Sequence, residues 1–161
     1  GRILKETSCQ AVKLEGGAEQ ADVIAALVGA GIPVMAHCGL RPQNVHQLGG
    51  YKVQRDRKRL LNDAKAAEAA GAFSVLLECV PVEAAKEITE ALEVPTIGIG
   101  AGPGCDGQVL VINDVLGLTS GYVPRFVKNY ADIGKTITEA VINYRDEVRG
   151  GIFPAQGQSF K

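Results

Sequence analysis

The chain is punctuated by five short apolar runs, each ending in a polar or glycine-rich tip. They are residues 11–15, closing on Lys13 and Glu15 before Gly16-Gly17; residues 33–37, closing on His37 before Cys38-Gly39; residues 74–78, closing on Glu78; residues 95–99, before Gly100-Ala101-Gly102; and residues 108–112, before Asn113-Asp114. Near-continuous apolar runs of this length suit parallel strands buried on both faces. Between most of them the period changes to that of a helix. Residues 19–29 align Val23, Ile24, Leu27 and Val28, and residues 57–70 align Leu60, Leu61, Ala64 and Ala67. Residues 82–92 align Ala84, Ala85, Ile88 and Leu92, and a last stripe runs Ile133, Ile137, Ala140, Val141, Tyr144 and Val148. Gly31 and Gly71 fall just past predicted helix ends, where a left-handed residue is wanted.

Strand and helix alternating in this way predict an α/β fold. Polar residues recur at the C-terminal tip of run after run, which favours a (β/α)8 TIM barrel, where such tips converge on one mouth. A whole barrel needs about 250 residues, and the chain has 161. The expectation is therefore a single domain, residues 1–161, covering about strands four to eight, with roughly three strand–helix units absent upstream. The start at Gly1 rather than Met reads the same way, as a fragment or a processed product. A five-stranded flavodoxin-like sheet is the rival that needs no missing residues, and a reversal of strand order would mark it.

Composition narrows the partners. Seventeen basic against eighteen acidic residues give a net charge of −1, so the broad basic field of a nucleic-acid or anionic-lipid binder is absent. No apolar run approaches the roughly 20 residues of a membrane-spanning helix. The four cysteines, Cys9, Cys38, Cys79 and Cys105, contain no CxxC pair, which argues against zinc or dithiol chemistry. They read as reduced, mostly buried thiols of a cytoplasmic protein.

The polar tips carry the candidate chemistry. Lys13 and Glu15 are two apart on a strand and share a face. They are either a salt bridge or a hard-cation ligand beside a cation for an anionic substrate. Glu78 ends an apolar run, where desolvation favours a base working near neutrality; its other reading is a cap for the helix that follows Pro81. His37 occupies the equivalent tip, as an active-site group or as a satisfied hydrogen-bonding residue. His46 lies in a polar loop and draws no such reading. The stretch Gly98–Gly104 fails the GxGxxG spacing, and Pro103 and Asp106-Gly107 interrupt any helix there. It predicts tight turns beside a ligand pocket. Residues 48–54 form a glycine loop with one aromatic, a candidate lid.

Taken in order, the blocks Val12–Gly17, Pro33–Gln43, Gly49–Gln54, Leu77–Pro81, Pro95–Gly102 and Asp106–Val111 resemble the ketopantoate hydroxymethyltransferase (3-methyl-2-oxobutanoate hydroxymethyltransferase) family. The resemblance extends from about residue 11 to Pro154. It implies a (β/α)8 barrel, a decameric homo-oligomer and a cytoplasmic step of pantothenate biosynthesis. The implied reaction passes a hydroxymethyl group from 5,10-methylenetetrahydrofolate, as co-substrate, to 3-methyl-2-oxobutanoate through a Mg²⁺-bound enolate, giving 2-dehydropantoate. Carried over by position, Glu15 is a metal ligand, Lys13 and His37 bind substrate, and Glu78 is the proton acceptor. The chain departs from the family in lacking the upstream part, which the resemblance puts at about 90–100 residues with two site aspartates, and in a short loop after Gln54. The alternatives are another Mg²⁺-dependent lyase or mutase of 2-oxo acids on the same barrel, and a non-catalytic truncated fragment.

Overall fold

A computed structural model of the chain describes residues 1–46 and 49–160. These divide into two compact units, Gly1–Val109 and Leu110–Lys161.

The first unit holds a five-stranded parallel sheet: β1 (Val12–Glu15), β2 (Val34–Gly39), β3 (Ser74–Glu78), β4 (Thr96–Ile99) and β5 (Gly107–Gln108). Its strands lie in sequence order, β1-β2-β3-β4-β5. A doubly wound sheet reverses direction at its centre and a barrel never does, so the sheet is an arc of a (β/α)8 barrel. The helices of this unit are α1 (Arg2–Glu6), α2 (Ala21–Gly29), α3 (Arg57–Ala69) and α4 (Val82–Ala91). Asp56 caps α3 by accepting the Arg59 N–H at 3.0 Å, and α2 and α3 both give way to glycines at positive φ, Gly31 and Gly71.

The core lies between one sheet face and these helices. Val34, Ala36 and Cys38 from β2 and Val75 and Leu77 from β3 meet Ile24, Leu60, Ala64, Ala67 and Ile88. Because side chains alternate along a strand, the other face receives Lys13, Glu15, Met35, His37, Ser74, Leu76, Glu78, Ile97 and Ile99. Adjacent strands keep these in step, with Glu15 beside His37 and Leu76 beside Ile97. At the foot of β4 the buried Thr96 is fixed by Asp106, whose Oδ2 accepts the Thr96 N–H at 2.8 Å and its hydroxyl at 3.1 Å. The backbone bond first, then the hydroxyl, holds the Asp106 carboxyl below its ordinary value.

Several expectations need correction. The fifth strand is the pair Gly107–Gln108, not residues 108–112, and Ile112 instead opens a short helix, α5 (Ile112–Val115). Pairing with β4 stops at Gly98 and Gln108, the last rung being the Val109 N–H donated to Gly98 O at 3.0 Å, and one residue beyond, after Ile99, β4 ends in the left-handed turn at Gly100. Val23 faces solvent because only Ile24 of its pair points at the sheet. The thiols are not mostly buried: Cys9 is exposed, Cys79 and Cys105 are intermediate, and Cys38 alone is enclosed. Of the stretch Gly98–Gly104, Gly98 and Ile99 still belong to β4, and the tight turns begin at Gly100, with Gly100 and Gly102 at positive φ.

The second unit contains α5 and α6 (Ile133–Arg149), the latter capped by Asp132, which accepts the Lys135 N–H at 3.4 Å. The stripe from Ile133 to Val148 is present on α6 but stays exposed within this unit. Among the described residues, no helix is long and apolar enough to cross a membrane.

Candidate active site

The four polar tips come together on the face of the sheet away from the helices. Lys13 Nζ lies 3.3 Å from His37 Nδ1. On the other side of the ring, Glu78 Oε2 lies 3.2 Å from His37 Nε2. That approach is out of line with the ring N–H, so Nε2 makes a close electrostatic contact and no hydrogen bond. The imidazole is wholly buried, whereas the Glu78 side chain keeps 18% of its surface. His37 is thus clasped between a cation and an anion from the strands on either side.

Glu15 stands one strand away, in register with His37. Its Oε2 accepts the Gln43 backbone N–H at 3.0 Å. Lys13 and Glu15 turn to different partners, and among the described residues they form no ion pair with each other. The Glu15 carboxylate lines a cleft of about 310 Å³ with Glu19, Gln20, Arg41, Asn44 and Arg59. Arg41, almost fully buried, is neutralised by Glu19. Three groups here lie outside the sequence reading: the Gln43 N–H, Arg41 and Arg59. Pro42 was the available signal for the first. It opens the single helical turn Pro42–Asn44, as proline does at a first helical position, and that turn aims the Gln43 N–H at Glu15.

Glycines let these tips pack. Gly39 ends β2 at φ +92°, and a Cβ there would come within 2.3 Å of the Glu78 carbonyl oxygen. With no side chain in the way, the Leu40 N–H donates to that carbonyl at 2.8 Å. At Gly17 a Cβ would meet Asp63 of α3 at 2.2 Å. The absence of a side chain there lets the Asp63 carboxylate accept the Ala18 N–H at 3.1 Å.

Beyond Glu78 the backbone is strained. Cys79 has φ +51°, a left-handed conformation that costs a non-glycine residue about 1–3 kcal/mol. It is held from both sides, its N–H donating to Ile99 O at 2.9 Å and its carbonyl accepting the Gln54 N–H at 3.0 Å. Burial first, then the Glu78 charge, pushes the Cys79 thiol above its ordinary value. Glu78 is not the cap of α4: that helix begins after Pro81 and carries no side-chain cap. Gln54 closes the glycine loop, whose first residue, Leu48, lies outside the described residues. His46 is exposed, as its polar loop suggested.

A hard divalent cation can be tested against these residues. Mg²⁺ is bound through one or two carboxylates, completed by substrate oxygens and water. Glu15, oriented by the Gln43 N–H and lining the cleft, fits one such position. Among the described residues no three His, Cys, Asp or Glu side chains converge as a metal site. Further ligands would be substrate oxygens, water or groups outside these 161 residues.

Residues 1–156 match the sequence model of the ketopantoate hydroxymethyltransferase family. Among curated relatives, the 3-methyl-2-oxobutanoate hydroxymethyltransferase of Rhodopirellula baltica is 66% identical over 99% of this chain and 60% of its own length. That of Geobacter metallireducens is 57% identical over 99% of this chain and 61% of its own. That of Frankia alni is 58% identical over 99% of this chain and 54% of its own. The chain therefore spans about 60% of the length of these relatives.

Proposed function

The chain belongs to the ketopantoate hydroxymethyltransferase family, and from that premise we propose that the protein carrying it makes 2-dehydropantoate for pantothenate biosynthesis. It does so by transferring a one-carbon unit from 5,10-methylenetetrahydrofolate to 3-methyl-2-oxobutanoate. The observation that supports this reading at the site is the imidazole of His37 held between the Lys13 ammonium at 3.3 Å and the Glu78 carboxylate at 3.2 Å, with Glu15 one strand away.

Each residue has a task. Lys13, exposed at its strand, offers an ammonium to the carboxylate of the keto acid. Glu15 would hold Mg²⁺. Glu78 takes the proton from C3, and the electron pair of that C–H bond passes into an enolate. Carbon 3 of the enolate then forms a bond to the one-carbon unit, water supplies the new hydroxyl oxygen, and tetrahydrofolate leaves. When bound, the cation supplies Lewis-acid polarisation of the ketone. The same reading carries a cytoplasmic homo-oligomer, decameric as in the family, acting on small molecules.

The test is to supply both substrates and Mg²⁺ and to follow 2-dehydropantoate by mass spectrometry. Product is expected, and Glu15→Gln should raise the Mg²⁺ needed for half-maximal rate by roughly tenfold or more. Absence of product would remove the transferase reading. An unchanged Mg²⁺ titration would remove Glu15 from the metal.

A further inference from the structure

We propose that Lys13, His37 and Glu78 form a one-directional hydrogen-bond chain, in which the lysine locks the imidazole as its Nε2–H tautomer and the imidazole offers that hydrogen to the Glu78 carboxylate. His37 is then a positioning residue for the base. The functional part rests on the reading of Glu78 as base; the tautomer part rests on geometry alone.

A lysine ammonium has hydrogens to give and no lone pair. At 3.3 Å from His37 Nδ1 it can only donate, so Nδ1 is the acceptor. A neutral imidazole has one hydrogen, which must then reside on Nε2. That atom is completely enclosed and has no hydrogen-bond partner, a rare condition for a buried polar nitrogen. An acceptor, Glu78 Oε2, lies 3.2 Å away and out of line. The ring is fixed by burial and by the Lys13 bond, whereas the carboxylate is partly exposed, so the carboxylate is the group that can turn. Catalytic hydrogen bonds are often misaligned before substrate binds and tighten in the loaded site.

Two consequences follow for the chemistry. Once Oε2 accepts the Nε2 hydrogen, the carboxylate has a fixed orientation and its other oxygen is left to collect a proton. The imidazole itself has no lone pair toward the substrate, because its one lone pair faces Lys13. The lock therefore leaves Glu78 without a competing base.

His37 is wholly buried and His46 exposed, and the ring signals that vanish in His37→Gln assign the ring nitrogens of His37 by NMR. In the ¹⁵N-labelled protein, long-range proton–nitrogen correlations at neutral pH should show a single Nε2–H tautomer for His37. An Nδ1–H ring, a mixture or a doubly protonated ring would overturn the proposal. Lys13→Met, with its fold checked by the amide spectrum, should give a mixture, and Lys13→Arg, which keeps a donor, should not. A Lys13→Met ring unchanged from wild type would show that the lysine is not the lock. In the functional arm, C3 proton exchange on the keto acid should fall roughly 10- to 100-fold in kcat for His37→Asn, with KM little changed. His37→Gln, whose amide N–H reaches the Nε2 position, should recover most of it. Equal impairment of both variants would overturn the positioning role. Should the His37 variants not fold, the NMR arms still decide, and a wild type with no exchange would overturn the transferase reading while leaving the tautomer result intact.

Discussion

At the scale of the residue, burial sorts the cysteines. Enclosure first, then the nearby Asp63 charge, pushes the Cys38 thiol up to about 12, and the thiol points at Gly16 O, 3.8 Å away. Thiolate is the reactive form, so a mild alkylating agent at pH 8 should modify exposed Cys9 first and Cys38 only on unfolding. Peptide mapping after timed labelling checks this; early modification of Cys38 would mean that the β2 layer opens readily. The linkage has a definite sign. A thiol raised in the folded state contributes stability that is complete below its unfolded value and is lost as pH rises toward about 12. Cys38→Ala should therefore flatten part of the alkaline limb of a melting-temperature profile.

At the scale of the element, the sheet is the part most legible in the chain. The starts and ends of β1 to β4 fall within two residues of the apolar runs, because each run is apolar for packing and stops where backbone turns are required. The fifth run misleads for a physical reason. Leu110, Val111 and Ile112 are apolar, but a short apolar run does not separate strand from helix, and the ladder ends at Gln108. The helix α1 went unread because Arg2–Glu6 has too few turns to show a period. The site was half legible: strand alternation placed Lys13 with Glu15, and the polar tips drew in His37 and Glu78. The left-handed Cys79 left no mark in residue type, since it is a backbone feature, and the Gln43 N–H left only the indirect mark of Pro42. Gly39 joins element to site. Gly39→Ala should cost roughly 1–3 kcal/mol for the left-handed backbone, with more from the approach to Glu78 O, and should displace Glu78. A thermal melt and a structure of the variant would check it; an unchanged melting temperature would mean that the tip of β2 relaxes freely.

At the scale of the molecule, sequential parallel order makes the sheet a barrel arc, and that order collects chemistry from neighbouring strands. Lys13 and Glu15 come from β1, His37 from β2 and Glu78 from β3. Contacts between adjacent strands therefore assemble the lysine, the imidazole and the carboxylate. The central claim is that this assembly removes the C3 proton of a 2-oxo acid, with Glu78 as acceptor. Deuterium exchange at C3 of 3-methyl-2-oxobutanoate, followed by proton NMR in D₂O with Mg²⁺ and without folate, isolates that step. The wild-type protein should exchange the C3 proton. Glu78→Gln should bind the keto acid, keep its unfolding free energy within about 1 kcal/mol of wild type, and lose exchange by a factor on the order of 10²–10⁴. Exchange at the wild-type rate in Glu78→Gln would contradict the account.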